Sequence, residues 1–312
     1  MPLSNAVRQA LAEDRARQQA REQAVRRRTS SATTASRLLW LEAAREPART
    51  VSRTLLRRAA DEWRRANRAS SSAIETGIQQ AAAQGERAGL ALLAAADADT
   101  GTVEQVGTQV LEEATREGSR LQRTLARRAA EGAGNPDRAA AILRDGFAKG
   151  LNPREVAANL SREFYLADYQ NERIARTEMM RAHRETTRSI YEQQPGTVGW
   201  RWVIEESDRT CAACWAMEGT EHPTPEPMPA HPNCRCRMAP ILKDPRADSF
   251  LQVPDGETQF ARQPASVQRR VLGPGAYDLY QQGQISLRDV VTTRNDPTWG
   301  QSVTRVPLSR LA

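Results

Sequence analysis

The sequence predicts a mainly α chain: long N-terminal helices plus a small α+β module with a short β-hairpin or sheet and a Cys/His knuckle. Three observations carry this. Apolar residues recur near 3.6 spacing through most of the first 190 positions. The segment GTVGWRWVIEES breaks that period and alternates as a strand does. All four cysteines and two of the three histidines then fall within CAACWAMEGTEHPTPEPMPAHPNCRC, residues 211–236.

The totals bound the reading. The chain has 312 residues, 39 % apolar and 27 % charged, with only 5 % aromatic. Mean hydropathy is -0.66. No long apolar run predicts a membrane span, and the N-terminus has no apolar stretch of the secretory kind. Folding in a reducing cytoplasm is therefore the expectation. Net charge is +7, but residues 1–70 hold 16 Arg against 7 acidic residues, a net of +9, which leaves the remaining 242 at -2. A basic N-terminal arm is an electrostatic footprint for a polyanion such as DNA, and a solvated charged helix is the plainer alternative.

The elements follow in order. Residues 6–28 predict a charged helix or a basic arm, with TSSATTAS at 29–36 as a break. Helix resumes from Ser36 to about Ala96, with interruptions near Pro47 and at Ser70–Ser72, and a partial stripe through Leu38, Leu39, Leu41, Val51, Leu55, Leu56, Ala59 and Trp63. Only Trp40 and Trp63 supply aromatic rings before residue 147, so this region needs a partner surface, or self-association, to be ordered. Asp97–Gly101 is a loop, and Thr102–Ala130 a third helical span. Asn135 and Asn152, each followed by Pro, are start signals for two helices separated by a turn near Gly150. This pair, 137–163, has the outline of a DNA-reading hairpin, but its second helix is not very basic, so a plain helical hairpin is the default. A longer helix covers about 168–194. Arg176, Thr177 and Glu178 read as buried polar anchors tying it to the Trp strand near Asp208–Thr210, and His183 as an ordinary surface or packing histidine. RMAPIL at 237–242 is a partner strand, VQRRVLGPGAYDLYQQGQISLRDVV gives two short helices around Gly273–Gly275, and the end is loop-like. The domain reading is 1–131, 132–245 and 246–312.

The cluster reads Cys211-x2-Cys214, a 16-residue gap, then His231-x2-Cys234-x-Cys236. A Cys-x2-Cys turn offers two thiolates to one ion, and a distant pair closes the tetrahedron, which is the logic of a structural zinc site. Cys211, Cys214, His231, Cys234 and Cys236 are five candidates for four places, with His222 a weaker sixth. Two disulfides are the rival reading, disfavoured by the expected redox setting. A catalytic thiol or metal is the third; Glu218 and Glu221 are the nearest general bases in sequence. Trp200, Trp202 and Trp215 are expected to form the small core around the site.

Together these residues resemble the phage Mu F-like head morphogenesis family, the minor head proteins of tailed bacteriophages. The matching pieces are Ile174-Ala175-Arg176-Thr177-Glu178, Trp200-Arg201-Trp202, Asp208-x-Thr210-Cys211-x2-Cys214, Gly219, His231-Pro232-x-Cys234-Arg235-Cys236 and Pro240. The resemblance covers about 137–245, with a weaker one over 250–292. It implies a non-enzymatic virion component present in multiple copies. Such proteins sit inside the capsid at the portal vertex, meet the portal protein and inner capsid surface, and assist head assembly and DNA packaging or delivery. Non-specific contact with double-stranded DNA through the Arg-rich N-terminal region is expected, with no membrane partner. The alternative from another class is a zinc-dependent enzyme or effector acting on nucleic acid or nucleotide.

Overall fold

The computed structural model describes residues 3–45, 53–96, 136–149, 151, 153–207, 209–296 and 299–311. Four helices come first: α1 Asn5–Arg45, α2 Arg53–Ala95, α3 Pro136–Ala148 and α4 Pro153–Gln193. Then follow β1 Thr197–Val203, α5 Ala212–Met217, β2 Glu221–Pro223 and β3 Arg237–Leu242. Three short helices, α6 Gly256–Ala261, α7 Ala265–Leu272 and α8 Pro274–Gln281, precede a hairpin of β4 Val291–Asp296 and β5 Gly300–Arg305. The break expected near Pro47, the loop at 97–101, the helical span at 102–130 and the start signals at Asn135 and Asn152 lie outside the described residues.

The expected break at 29–36 is absent, and α1 runs straight through it. The hydroxyls that make Ser and Thr poor helix formers are turned back onto the helix here: Thr29 donates to the Arg26 carbonyl at 2.9 Å, and Thr33 and Thr34 both donate to Ser30 at 3.0 Å. The Ser70–Ser72 interruption is likewise bridged, with Thr76 donating to the Ser72 carbonyl at 2.9 Å. The second hairpin helix and the helix expected at 168–194 are one element, the 41-residue α4.

The chain divides into two compact units. One is drawn from Arg17–Gln80 and Glu112–Met179. Its core joins Trp40 and Trp63 to Leu143, Val156, Leu160 and Phe164, with the Trp63 and Phe164 rings stacked at 5.7 Å. The sparse aromatics of the N-terminal helices are thus completed by α3 and the start of α4. Arg176 pairs with Glu22 at 2.7 Å, so it ties α4 to α1 within this unit, not to the Trp strand as expected.

The other unit is drawn from Met1–Ala16, Ala81–Leu111 and Met180–Ala312. Its three-stranded antiparallel sheet has the order β2-β1-β3. Trp200 lies opposite His222 on one side and Pro240 on the other. Pro240 is tolerated because β3 is an edge strand. Both faces of β1 are covered, since Trp200, Arg201, Trp202 and Val203 are all buried; the alternation seen in sequence is between ring and non-ring side chains, not inside and outside. Arg201 is held by a two-pronged pair with Asp248, both contacts at 2.8 Å, and Asp248 also accepts from Leu242 N. The core around the strand includes Tyr191, Ile204, Trp215, Phe260 and Leu272, with Trp215 and Phe260 rings 5.5 Å apart. The end of the chain is a hairpin and not loop: β4 pairs with β5 from Val291↔Arg305 to Asp296↔Gly300. Its strands are mostly exposed, so no apolar alternation marks them; Val303 is buried and its N–H donates to the Pro229 carbonyl at 2.7 Å.

Candidate metal centre

The site is assembled by three pieces of local structure. Cys211 is the N-cap of α5 and Cys214 sits in its first turn, so a single helical turn places both sulfurs on one side. The stretch His231–Cys234 closes as a tight turn, with Cys234 N donating to the His231 carbonyl at 3.1 Å and Asn233 in the left-handed region at φ 66°. Cys236 then stands immediately before β3. Gly219, at φ +75°, lets the chain leave α5 and return along β1, where its N–H donates to the Trp202 carbonyl at 2.9 Å.

All four cysteines are free thiols, so none of the three disulfide pairings is present. The five candidate ligands form two groups, Cys211–Cys214–His231 and Cys214–Cys234–Cys236, each with its ligand atoms within 4.8 Å of one another. Cys214 belongs to both. His231 Nε2 is 3.2 Å from Cys211 Sγ and 3.1 Å from Cys214 Sγ, and Cys214 Sγ is 3.8 Å from Cys234 Sγ. Two sulfurs bound tetrahedrally to one zinc at about 2.3 Å lie about 3.8 Å apart, so the Cys214–Cys234 edge is already that of a zinc site. The other ring nitrogen, His231 Nδ1, is 2.8 Å from the Pro232 carbonyl. A carbonyl only accepts, so Nδ1 carries a proton and Nε2 is the ring atom that faces the sulfurs, the one a metal ion would take once its proton is displaced.

The protonation pattern expresses the same crowding. Cys211 is pulled down to about 4, first by the hydrogen bond from Cys214 and then, against burial, by His231. For Cys234 burial pushes up, but hydrogen bonds from Cys214 and Cys236 and the Arg184 charge hold it well below the usual thiol range. The Cys211 contact raises Cys214, and burial raises Cys236. Burial lowers His231, yet Cys211 and Cys234 raise it to about 9. Closely packed thiols share protons with one another and with the imidazole; a divalent cation would displace those protons and neutralise the thiolates.

Arg184, which the sequence reading did not single out, holds this cluster from behind. Its Nε donates to the Cys236 carbonyl at 2.9 Å and a terminal nitrogen to the Cys234 carbonyl at 2.8 Å. On the same helix Arg181 reaches the Trp299 carbonyl at 2.9 Å and Arg188 the Thr224 carbonyl at 3.2 Å. The signal was the 181, 184, 188 spacing, which puts three guanidinium groups along one face of α4. Of the two expectations for His183, surface or packing, the structure shows the second: it is buried, with Nε2 3.1 Å from Asp14 Oδ1.

The remaining residues fall outside the cluster. His222 stacks on Trp200 at 4.2 Å and has Glu226 and Thr220 on its two nitrogens, so it is no ligand. Glu218 accepts from Ile204 N at 2.5 Å, Glu221 pairs with Arg201 at 2.9 Å, and neither joins a ligand group. Asp208 lies outside the described residues; Thr210 accepts from Ser207 N at 3.2 Å and donates to the Glu205 carbonyl, closing the turn into the knuckle.

A buried knuckle of four thiols and one imidazole, stapled to a small sheet and backed by a long helix, defines the class: a helical protein with a Cys/His-centred module. The family model described as phage Mu protein F like protein matches residues 138–239, the segment from α3 to the middle of β3. Over that segment the chain is similar to the phage Mu F-like family. No curated protein and no solved structure matches the chain. Among the described residues no helix is long and apolar enough to cross a membrane.

Proposed function

We propose that this chain is a structural minor head protein of a tailed bacteriophage, sited in multiple copies inside the capsid at the portal vertex, where it assists head assembly and DNA packaging or delivery. The similarity to the Mu F-like family over 138–239 carries the proposal. The interior supports it: the cluster lies within a packed core and is backed by Arg184, the setting of a structural staple. In this reading four of Cys211, Cys214, His231, Cys234 and Cys236 supply the ligands of one structural zinc ion, whose role is to cross-link α5 to the start of β3. A small module with few large apolar residues gains most from such a cross-link.

The Arg-rich N-terminal helices then supply non-specific contact with the genome, attraction that does not depend on base sequence. Purified particles test the whole proposal. The chain should co-purify with portal and capsid proteins through a density gradient at a fixed copy number. Its absence from filled and empty particles alike would end the reading.

A further inference from the structure

The unit drawn from Arg17–Gln80 and Glu112–Met179 carries a groove of about 610 Å³ between α1 and α2. On α1 it is lined by Arg27, Arg28, Ser31 and Ala32, and on α2 by Ala69, Ser72, Ala73 and Thr76. The α2 positions follow i, i+3, i+4, i+7, so they form one continuous helix face. The only charged side chains in the lining are the two arginines, and no carboxylate joins them. Both are exposed, and among the described residues neither forms an ion pair. Of the nearby arginines, Arg26 pairs with Glu172, Arg64 with Asp61 and Arg65 with Glu62. Ser31 and Ser72 are exposed hydroxyls beside them, and three alanines and Thr76 make up the rest of the lining.

We propose that this groove seats one phosphodiester strand of a double-stranded nucleic acid, with Arg27 and Arg28 on successive phosphates and Ser31 and Ser72 donating to phosphate oxygens. The proposal rests on the reading of the chain as a DNA-contacting head protein and names where that contact is made. The chemistry favours phosphate: guanidinium groups and hydroxyls are the usual donors to a nucleic-acid backbone, and they carry no base preference. Short alanine side chains let a strand approach both helices. The net charge of +9 over residues 1–70 adds the long-range attraction that a duplex, as a continuous line of charge, exploits best.

The test is binding of the full chain to a short labelled mixed-sequence duplex, followed by fluorescence anisotropy across a salt series. Replacing both arginines, Arg27→Gln with Arg28→Gln, should flatten the slope of log K against log salt by roughly 1.8, two phosphate contacts at about 0.9 each. The matched pair Arg57→Gln with Arg58→Gln removes the same charge from exposed positions of α2 outside the groove; Arg58 lies roughly 16 Å along the helix from Ala69. That pair should change the slope much less. Ala69→Leu fills the groove without touching charge, at an exposed position where leucine suits a helix, and should weaken binding several-fold. Equal losses in the two arginine pairs, or full affinity in Ala69→Leu, would overturn the groove while leaving general DNA contact standing. No binding of the unsubstituted chain at low salt would overturn both. Competition by poly-glutamate as effective as that by unlabelled duplex at equal charge would assign the groove to an acidic protein surface and overturn the proposal.

Discussion

Arg237 Nε donates to Asp14 Oδ2 at 2.5 Å, joining the first residue of β3 to α1 across 223 positions of sequence. Both side chains are buried. The other oxygen of Asp14 receives Gln84 Nε2 from α2 at 2.9 Å and faces His183 Nε2 of α4 at 3.1 Å. Burial would raise the Asp14 carboxyl, but His183 and Arg237 hold it well below the usual carboxylate range. One carboxylate therefore collects donors from three other elements of the same unit. Replacing it by Asp14→Asn removes the closer counter-ion of buried Arg237 and leaves only Glu205 at 3.7 Å, a change worth up to about 3–5 kcal/mol. Urea unfolding should show a loss of that order, partly recovered by adding Arg237→Met. A midpoint unchanged in Asp14→Asn would show that the pair is no tie.

Gly85 of α2 lies against the backbone of α4 at His183. A Cβ at this position would stand 2.2 Å from the His183 carbonyl oxygen, inside the backbone of the facing helix. Thr187 uses the closeness, donating to the Gly85 carbonyl at 2.9 Å. Gly85→Ala should destabilise the chain by more than about 2 kcal/mol, although alanine is the better helix former by about 1 kcal/mol. Gly283→Ala serves as a comparison with open space around it but a φ of +68°, so it should cost only the modest backbone strain. A stable Gly85→Ala chain would contradict the packing.

Glu218 sets a pH dependence. Burial raises its carboxyl from 4.5 to about 8, even though Ile204 N donates to it. The folded value lies above the unfolded one, so the stability tied to the neutral form is complete below about pH 4.5 and is lost as pH rises to 8. Glu218→Gln keeps an acceptor for Ile204 and cannot ionise. Its unfolding free energy relative to the unsubstituted chain should climb between pH 5 and 8 and level off above, by a total on the order of several kcal/mol. A pH-independent difference would place Glu218 in a wetter setting than the structure gives it.

Arg184 holds the cluster through the chain, by its bonds to two carbonyls, as well as by its charge beside Cys234. Arg184→Gln keeps the helix but releases the Cys234 and Cys236 carbonyls. Groups that orient metal ligands in this way are typically worth 10–100-fold in metal affinity. Competition with a chromophoric chelator should show a loss in that range, with residual binding intact. Unchanged affinity would make Arg184 a packing residue only.

Much of this architecture was legible. The Trp strand, the RMAPIL strand, the pair of short helices around Gly273–Gly275 and the gathering of the cysteines with His231 all follow from local pattern. Three things were not. The Ser/Thr run in α1 looks like a break because its hydroxyls compete for backbone carbonyls, and only the structure shows them bonding within the helix. The terminal hairpin is polar on nearly every position, so no alternation announces it. Asp14 sits in a charged helical segment like any other acid; its partners lie 70, 169 and 223 residues away, a distance no local spacing can reveal. Arg184 was within reach, through the 181, 184, 188 spacing, but a helical arginine run reads by default as a solvated face.

The metal content of the full chain is the most direct measurement of the account. Cys214 is shared by both ligand groups, so a site built on it should hold one zinc per chain by elemental analysis, and Cys214→Ser should hold none while keeping most of its helical circular dichroism. A chain purified without chelator that carries no divalent metal, binds none on titration and melts unchanged in Cys214→Ser would contradict it.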